Sequence, residues 1–115
     1  MKGYKVVRTF KTGKIISAYS DGHIVEYKIG EWVKRPDGCG PLAVFNTLEN
    51  AKDFVFKGTF GPTRKIFLCE YESSILNYLW CRYTLQDKKM RREKHLLPIG
   101  TQLAERVMLI REVGI

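Results

Sequence analysis

The sequence predicts an α+β domain: a mostly antiparallel twisted sheet of about six strands with one main helix packed on one face. Three observations predict it. Only Asn46 to Val55 joins a capping signal to helical spacing of apolar residues. Most other segments alternate apolar and polar residues between turn-formers, as half-buried strands do. A chain of 115 residues, 44% hydrophobic and 28% charged, holds one core and fits a single domain, residues 1–115.

Residues 4–10, 14–20 and 23–29 read as a meander of three antiparallel strands, joined by Lys11-Thr12-Gly13 and by Asp21-Gly22. A two-residue Asp-Gly turn sets the second register, with Ser20 facing His23 and Ile16 facing Tyr27. Ile16, Ala18, Val25 and Tyr27 then share a core face, and Ile15, Tyr19 and Ile24 share the opposite one. Gly30 ends the third strand. Glu31 to Arg35 continues it or begins another, before two prolines and two glycines in Pro36-Asp37-Gly38-Cys39-Gly40-Pro41 force an irregular loop.

Leu42 to Phe45 is a short apolar strand that passes directly into the helix. Asn46 stands at the cap, Glu49 three residues on completes a capping box, and Leu48, Ala51, Phe54 and Val55 form the apolar stripe. Glycine and proline between Lys57 and Thr63 end the helix. Arg64 to Glu72 sets Ile66, Leu68 and Glu70 against Phe67, Cys69 and Tyr71, the pattern of an interior strand. Residues 73–85 read as a short helical turn and then a strand. From Asp87 to His95 five cations stand against two acids, so residues 86–96 are expected to form a basic, flexible loop. Leu97-Pro98-Ile99-Gly100-Thr101 turns the chain back, and Ala104 to Val113 closes it as a central strand.

The net charge of +8 is unevenly spread: +5 over residues 1–35, −1 over 36–80 and +4 over 81–115. That excludes acidic mimicry of nucleic acid, and leaves nucleic acid, an acidic protein face or solubility as its meaning. Three cysteines without a close pair argue against a disulfide framework and for a reducing compartment. His23 and His95 lie far from each other and from the cysteines, so no metal-ligand spacing is present; neither metal nor cofactor is expected. The opening residues lack a signal-peptide core, and no apolar run reaches bilayer length, so the expectation is a cytoplasmic protein without membrane contact.

Few polar groups converge away from the charged surface, which favours a small non-enzymatic binding protein over an enzyme. Its interaction surface is the apolar patch Ile15, Tyr19 and Ile24, facing a protein partner or a second copy in a homodimer. The alternative is nucleic-acid binding. Lys88, Lys89, Arg91, Arg92 and Lys94 would follow the phosphates, and Tyr78, Trp80 and Tyr83 would stack on bases.

Two resemblances accompany these readings. Tyr27-x-x-Gly30-x-Trp32, the Phe45 strand before an Ala51 helix, Glu70-Tyr71, and Leu97-Pro98-x-Gly100-Thr101-x-x-Ala104-x-x-Val107 together resemble small proteins of phages and bacteria. That resemblance implies a small α+β fold and a phage or bacterial origin. Arg8, Ser17 and Glu70-Tyr71-Glu72 resemble a reduced form of the Arg, Ser and Glu-x-Glu set of ADP-ribosyltransferases, which implies a nucleotide-utilising enzyme as a third reading. Strand alternation by itself also yields such glutamate pairs.

Overall fold

The computed structural model describes residues 1–18, 25–37, 39–57, 64–82, 89–93 and 97–114, with the backbone alone for 78–82 and 89–93. Among them are nine strands and one helix: β1 (Lys2–Thr9), β2 (Ile15–Ser17), β3 (Glu26–Tyr27), β4 (Trp32–Lys34), β5 (Leu42–Phe45), α1 (Leu48–Lys57), β6 (Arg64–Ser73), β7 (Tyr78–Arg82), β8 (Lys89–Glu93) and β9 (Thr101–Val113).

The expected open sheet with a helix on one face does not form. Strand β6 lies between β1 and β9, and β5 bridges the far edges of those two, so β1, β6, β9 and β5 close into a four-stranded barrel and the protein is mostly β. Past β5 the two long strands separate. There β1 takes β2 as its neighbour and β2 takes β3, while β9 takes β4. Both long strands thus change partner midway along one edge.

Closure depends on two residues of β1 that alternation alone reads as unremarkable. Gly3 has no side chain, and a Cβ there would sit 2.9 Å from the Phe45 carbonyl oxygen and 2.9 Å from the Tyr71 ring. Lys5 points into the barrel, is 2% exposed, and donates from Nζ to the Ala43 carbonyl at 2.6 Å. Around it lie Val7, Tyr27, Val44, Phe67, Cys69, Tyr71, Val107 and Leu109, all buried. These residues come from alternate positions of each strand, as a filled barrel requires.

The intervening positions face outward. Val6, Phe45 and Ile66 meet Ala51, Leu48, Phe54 and Val55 of α1, with the Phe45 and Phe54 ring centroids 5.3 Å apart. The apolar stripe is therefore used as the sequence predicts, but against the outer wall of a barrel. Its cap lies one residue later than expected: Thr47 Oγ1 accepts from Asn50 N at 3.1 Å, while Asn46 Oδ1 accepts from the Asn50 side chain at 2.9 Å. A turn over Pro98 to Thr101 leads into β9, with Gly100 at φ +86° and Thr101 N donating to the Pro98 carbonyl at 3.1 Å.

The second hairpin forms in a register one residue away from the expected one. Ile15 pairs with Tyr27 and Ile16 with Glu26, and Ser17 N donates to the Val25 carbonyl at 2.9 Å. A slip of one residue exchanges the faces. Ile15, Ser17, Val25 and Tyr27 turn inward, and Ile16 and Ala18 turn toward the helix side.

Two further segments differ from expectation. Residues 74–77 form no helical turn, and the basic stretch Lys89–Glu93, expected as a loop, is a strand that pairs antiparallel with β7 as a separate two-stranded ribbon. By contrast β6 and β9 are the interior strands that their sequences predict.

Candidate functional site

A groove of about 750 Å³ opens where β9 passes from β5 to β4, lined by Lys34, Arg35, Asp37, Glu72, Glu105 and Arg106, with Cys39 also on its wall. A β-bulge creates it. Glu72 pairs with Arg106 but the next residue, Ser73, pairs with Ala104, so Glu105 is an extra residue in β9. The bulge re-aims its carboxylate. Arg35 Nε donates to Glu105 Oε1 at 2.9 Å, the Ser74 hydroxyl donates to Oε2, and Arg35 Nη1 donates to the Cys39 carbonyl at 2.8 Å. One guanidinium thus ties the Pro36–Pro41 loop to β9.

Beside it Arg106 pairs with Glu72 across the ladder, and its guanidinium lies 4.2 Å from the Trp32 ring centroid. Both carboxylates are held below the usual range. For Glu105 the Ser74 hydroxyl is the larger cause and Arg35 the smaller; for Glu72 the cause is the hydrogen bond from Arg106. They stay ionised through neutral pH. Neither is poised to exchange a proton there.

The groove carries three cations and three acids among its named residues, so it has no excess charge to draw an ion of either sign. The ribbon beside it differs. Ser74 N is bound to the Leu103 carbonyl at 2.8 Å and Leu76 N to the Ser74 hydroxyl oxygen at 3.1 Å, so the chain enters β7 from the groove wall. The register sets Tyr78 opposite Glu93, Leu79 opposite Arg92, Trp80 opposite Arg91, Cys81 opposite Met90 and Arg82 opposite Lys89. Four cations and one acid on these two strands give a local charge of +3.

Of the nucleic-acid set read from the sequence, Lys89, Arg91 and Arg92 thus share β8, while Lys88 and Lys94 lie outside the described residues, as does Tyr83. Sequence reasoning placed Arg82 in no set, although the ladder brings it opposite Lys89. Nor did it find the groove, because a bulge leaves no compositional signal and Arg35, Glu105 and Ser74 are far apart in the chain.

Of the apolar patch, Ile15 is half-buried and packs against the barrel core; Tyr19 and Ile24 lie outside the described residues, as do His23 and His95. Arg8, Ser17 and Glu70 are not brought together. Arg8 pairs with Arg64 at one end of β6 and Glu70 with Lys2 at the other, about 20 Å apart at the rise of a strand, and Ser17 is buried. Cys39 and Cys69 are both buried. Burial pushes the Cys69 thiol up to about 11.

Among the described residues no three His, Cys, Asp or Glu side chains come together as a metal site, and no helix is long and apolar enough to cross a membrane. No family model, curated protein or solved structure matches the chain, and neither resemblance gains support from those comparisons.

Proposed function

We propose that the chain is a non-enzymatic binding protein that takes single-stranded nucleic acid along the β7–β8 ribbon. The observation that carries this reading is the ladder register, which sets Trp80 opposite Arg91 and Arg82 opposite Lys89 on a short ribbon lying outside the barrel sheet. Bases stack on aromatic rings whatever their identity, and nearby cations follow the phosphates. Trp80 and Tyr78 supply the first requirement, Arg82, Lys89, Arg91 and Arg92 the second. The local charge of +3 favours the ribbon over the neutral groove as the polyanion's path.

The test is fluorescence anisotropy with labelled single-stranded oligonucleotides across a salt series. Affinity should fall linearly in the log–log plot, and each of Arg82→Ala, Lys89→Ala, Arg91→Ala and Arg92→Ala should reduce the slope by about 0.7. Trp80→Ala should instead weaken binding by about 1–3 kcal/mol at unchanged slope. A protein that binds no oligonucleotide at low salt, or whose slope ignores all four cations, does not use this ribbon for nucleic acid.

A further inference from the structure

We infer that β4 pairs with β4 of a second copy of this chain, antiparallel, about a two-fold axis at Val33. Among the described residues β4 ends the sheet, with β9 on one side of it. Val33 pairs with Val107, and Arg35 N donates to the Glu105 carbonyl at 2.9 Å, so from Trp32 to Arg35 the odd-numbered residues direct their backbone groups to β9. In an antiparallel ladder the residues between them direct theirs the other way. Trp32 and Lys34 therefore present N–H and C=O groups on the open edge.

That edge is exposed and partly apolar: Trp32 is 40% exposed and Ile29 55%, with Glu31 and Lys34 also at the surface. An edge of this kind is a template for another strand.

Three registers keep these donors and acceptors in phase with a second β4. Centring on Trp32 sets that ring against its own copy, and centring on Lys34 sets two ammonium groups together and brings Trp32 opposite Pro36, which has no N–H. Centring on Val33 sets Trp32 opposite the partner's Lys34 and Glu31 opposite the partner's Arg35. An aromatic ring meets a cation and a carboxylate meets a guanidinium, each twice by symmetry. This self-complementarity selects a second copy as the occupant. The face is distinct from the Ile15 patch, since Ile15 lies on β2.

Sedimentation equilibrium from roughly 1 to 300 μM, the range over which a micromolar dimer dissociates, tests the pairing. The expected mass rises with concentration from 13.4 kDa toward twice that value. Lys34→Pro removes an open-edge donor while keeping the Val33 and Arg35 bonds to β9, and Glu31→Arg reverses one charge of the pair. Each should weaken the dimer by about tenfold or more, the order of a lost charge pair or hydrogen bond, with the far-ultraviolet circular dichroism unchanged. A protein that stays at the monomer mass throughout overturns the inference, even if an added extended peptide binds β4. So does a dimer that both variants leave intact.

Discussion

The Lys5 ammonium and the Ala43 carbonyl meet at 2.6 Å across the thinnest seam of the barrel, where β1 and β5 share one ladder pair, Tyr4 with Phe45. The side chain of one strand thus supplies a cross-strand bond where the backbone supplies few. Its amine is wholly buried, beneath the Tyr27 ring at 5.6 Å and close to Cys69.

Replacing that amine sets the relief of a buried charge against the loss of a seam bond. Burial lowers Lys5 to about 8, so keeping it protonated at neutral pH costs about 3 kcal/mol against water. The bond to Ala43 returns about 1–2 kcal/mol. Lys5→Met keeps most of the volume but leaves the Ala43 carbonyl without its donor, so the unfolding free energy is expected to stay within about 1 kcal/mol of the parent in urea titrations. Lys5→Ala should lower it instead, through the cavity left behind.

Stability should depend on pH in a narrow alkaline window. Between about 8 and its usual 10.5, Lys5 binds fewer protons folded than unfolded, so stability climbs with pH there and is flat below. Cys69, pushed from 9.0 up to about 11 by burial, keeps its proton in the folded state after the unfolded chain has lost it, so its contribution falls from about pH 9 upward. Tyr27, likewise raised by burial, adds to the fall above its usual 10.0. Urea midpoints should climb from about pH 8 to 9 and then level and decline, and Cys69→Ala should extend the climb toward pH 10.

Gly3→Ala should cost about 1–3 kcal/mol, measured by thermal unfolding, because the new methyl meets the β5 backbone as well as the Tyr71 ring. The backbone contact has no rotamer by which to move away.

The position of the helix cap separates two neighbouring residues. Thr47→Ala removes the acceptor for Asn50 N and should cost about 1 kcal/mol. Asn46→Ala removes a side-chain bond at the surface and should cost less. A larger loss at Asn46 in chemical unfolding would return the cap to the earlier residue.

What was legible in the sequence followed from local periodicity. The stripe of Leu48, Ala51, Phe54 and Val55 and the two-faced apolar content of β6 and β9 each reported burial directly. Closure of the sheet was not legible, since it rests on the absence of a side chain at Gly3 and on the burial of Lys5, whose charge mimics that of an outward strand residue. The Asp21-Gly22 signal predicted a register that the inward Ile15 and Tyr27 pair overrode. Both of these side chains join the main core, and packing of that kind outweighs a preference in the turn. The basic run was read from its charge as a solvated loop, yet its residues pair with β7, because a ribbon can expose both faces and needs no apolar alternation.

The extra residue at Glu105 gives β9 one point at which the chain can shorten without loss of register, in a way that composition does not reveal. Exchanging this glutamate for another side chain alters the groove alone. Deleting it would make Ser73 opposite Ala104 and Glu72 opposite Arg106 consecutive pairs of an unbroken ladder, with Val107 still inward. A one-codon loss at this point would therefore take the central carboxylate from the groove and spare the barrel wall, whereas the same loss at Val107 would exchange the faces of the strand beyond it.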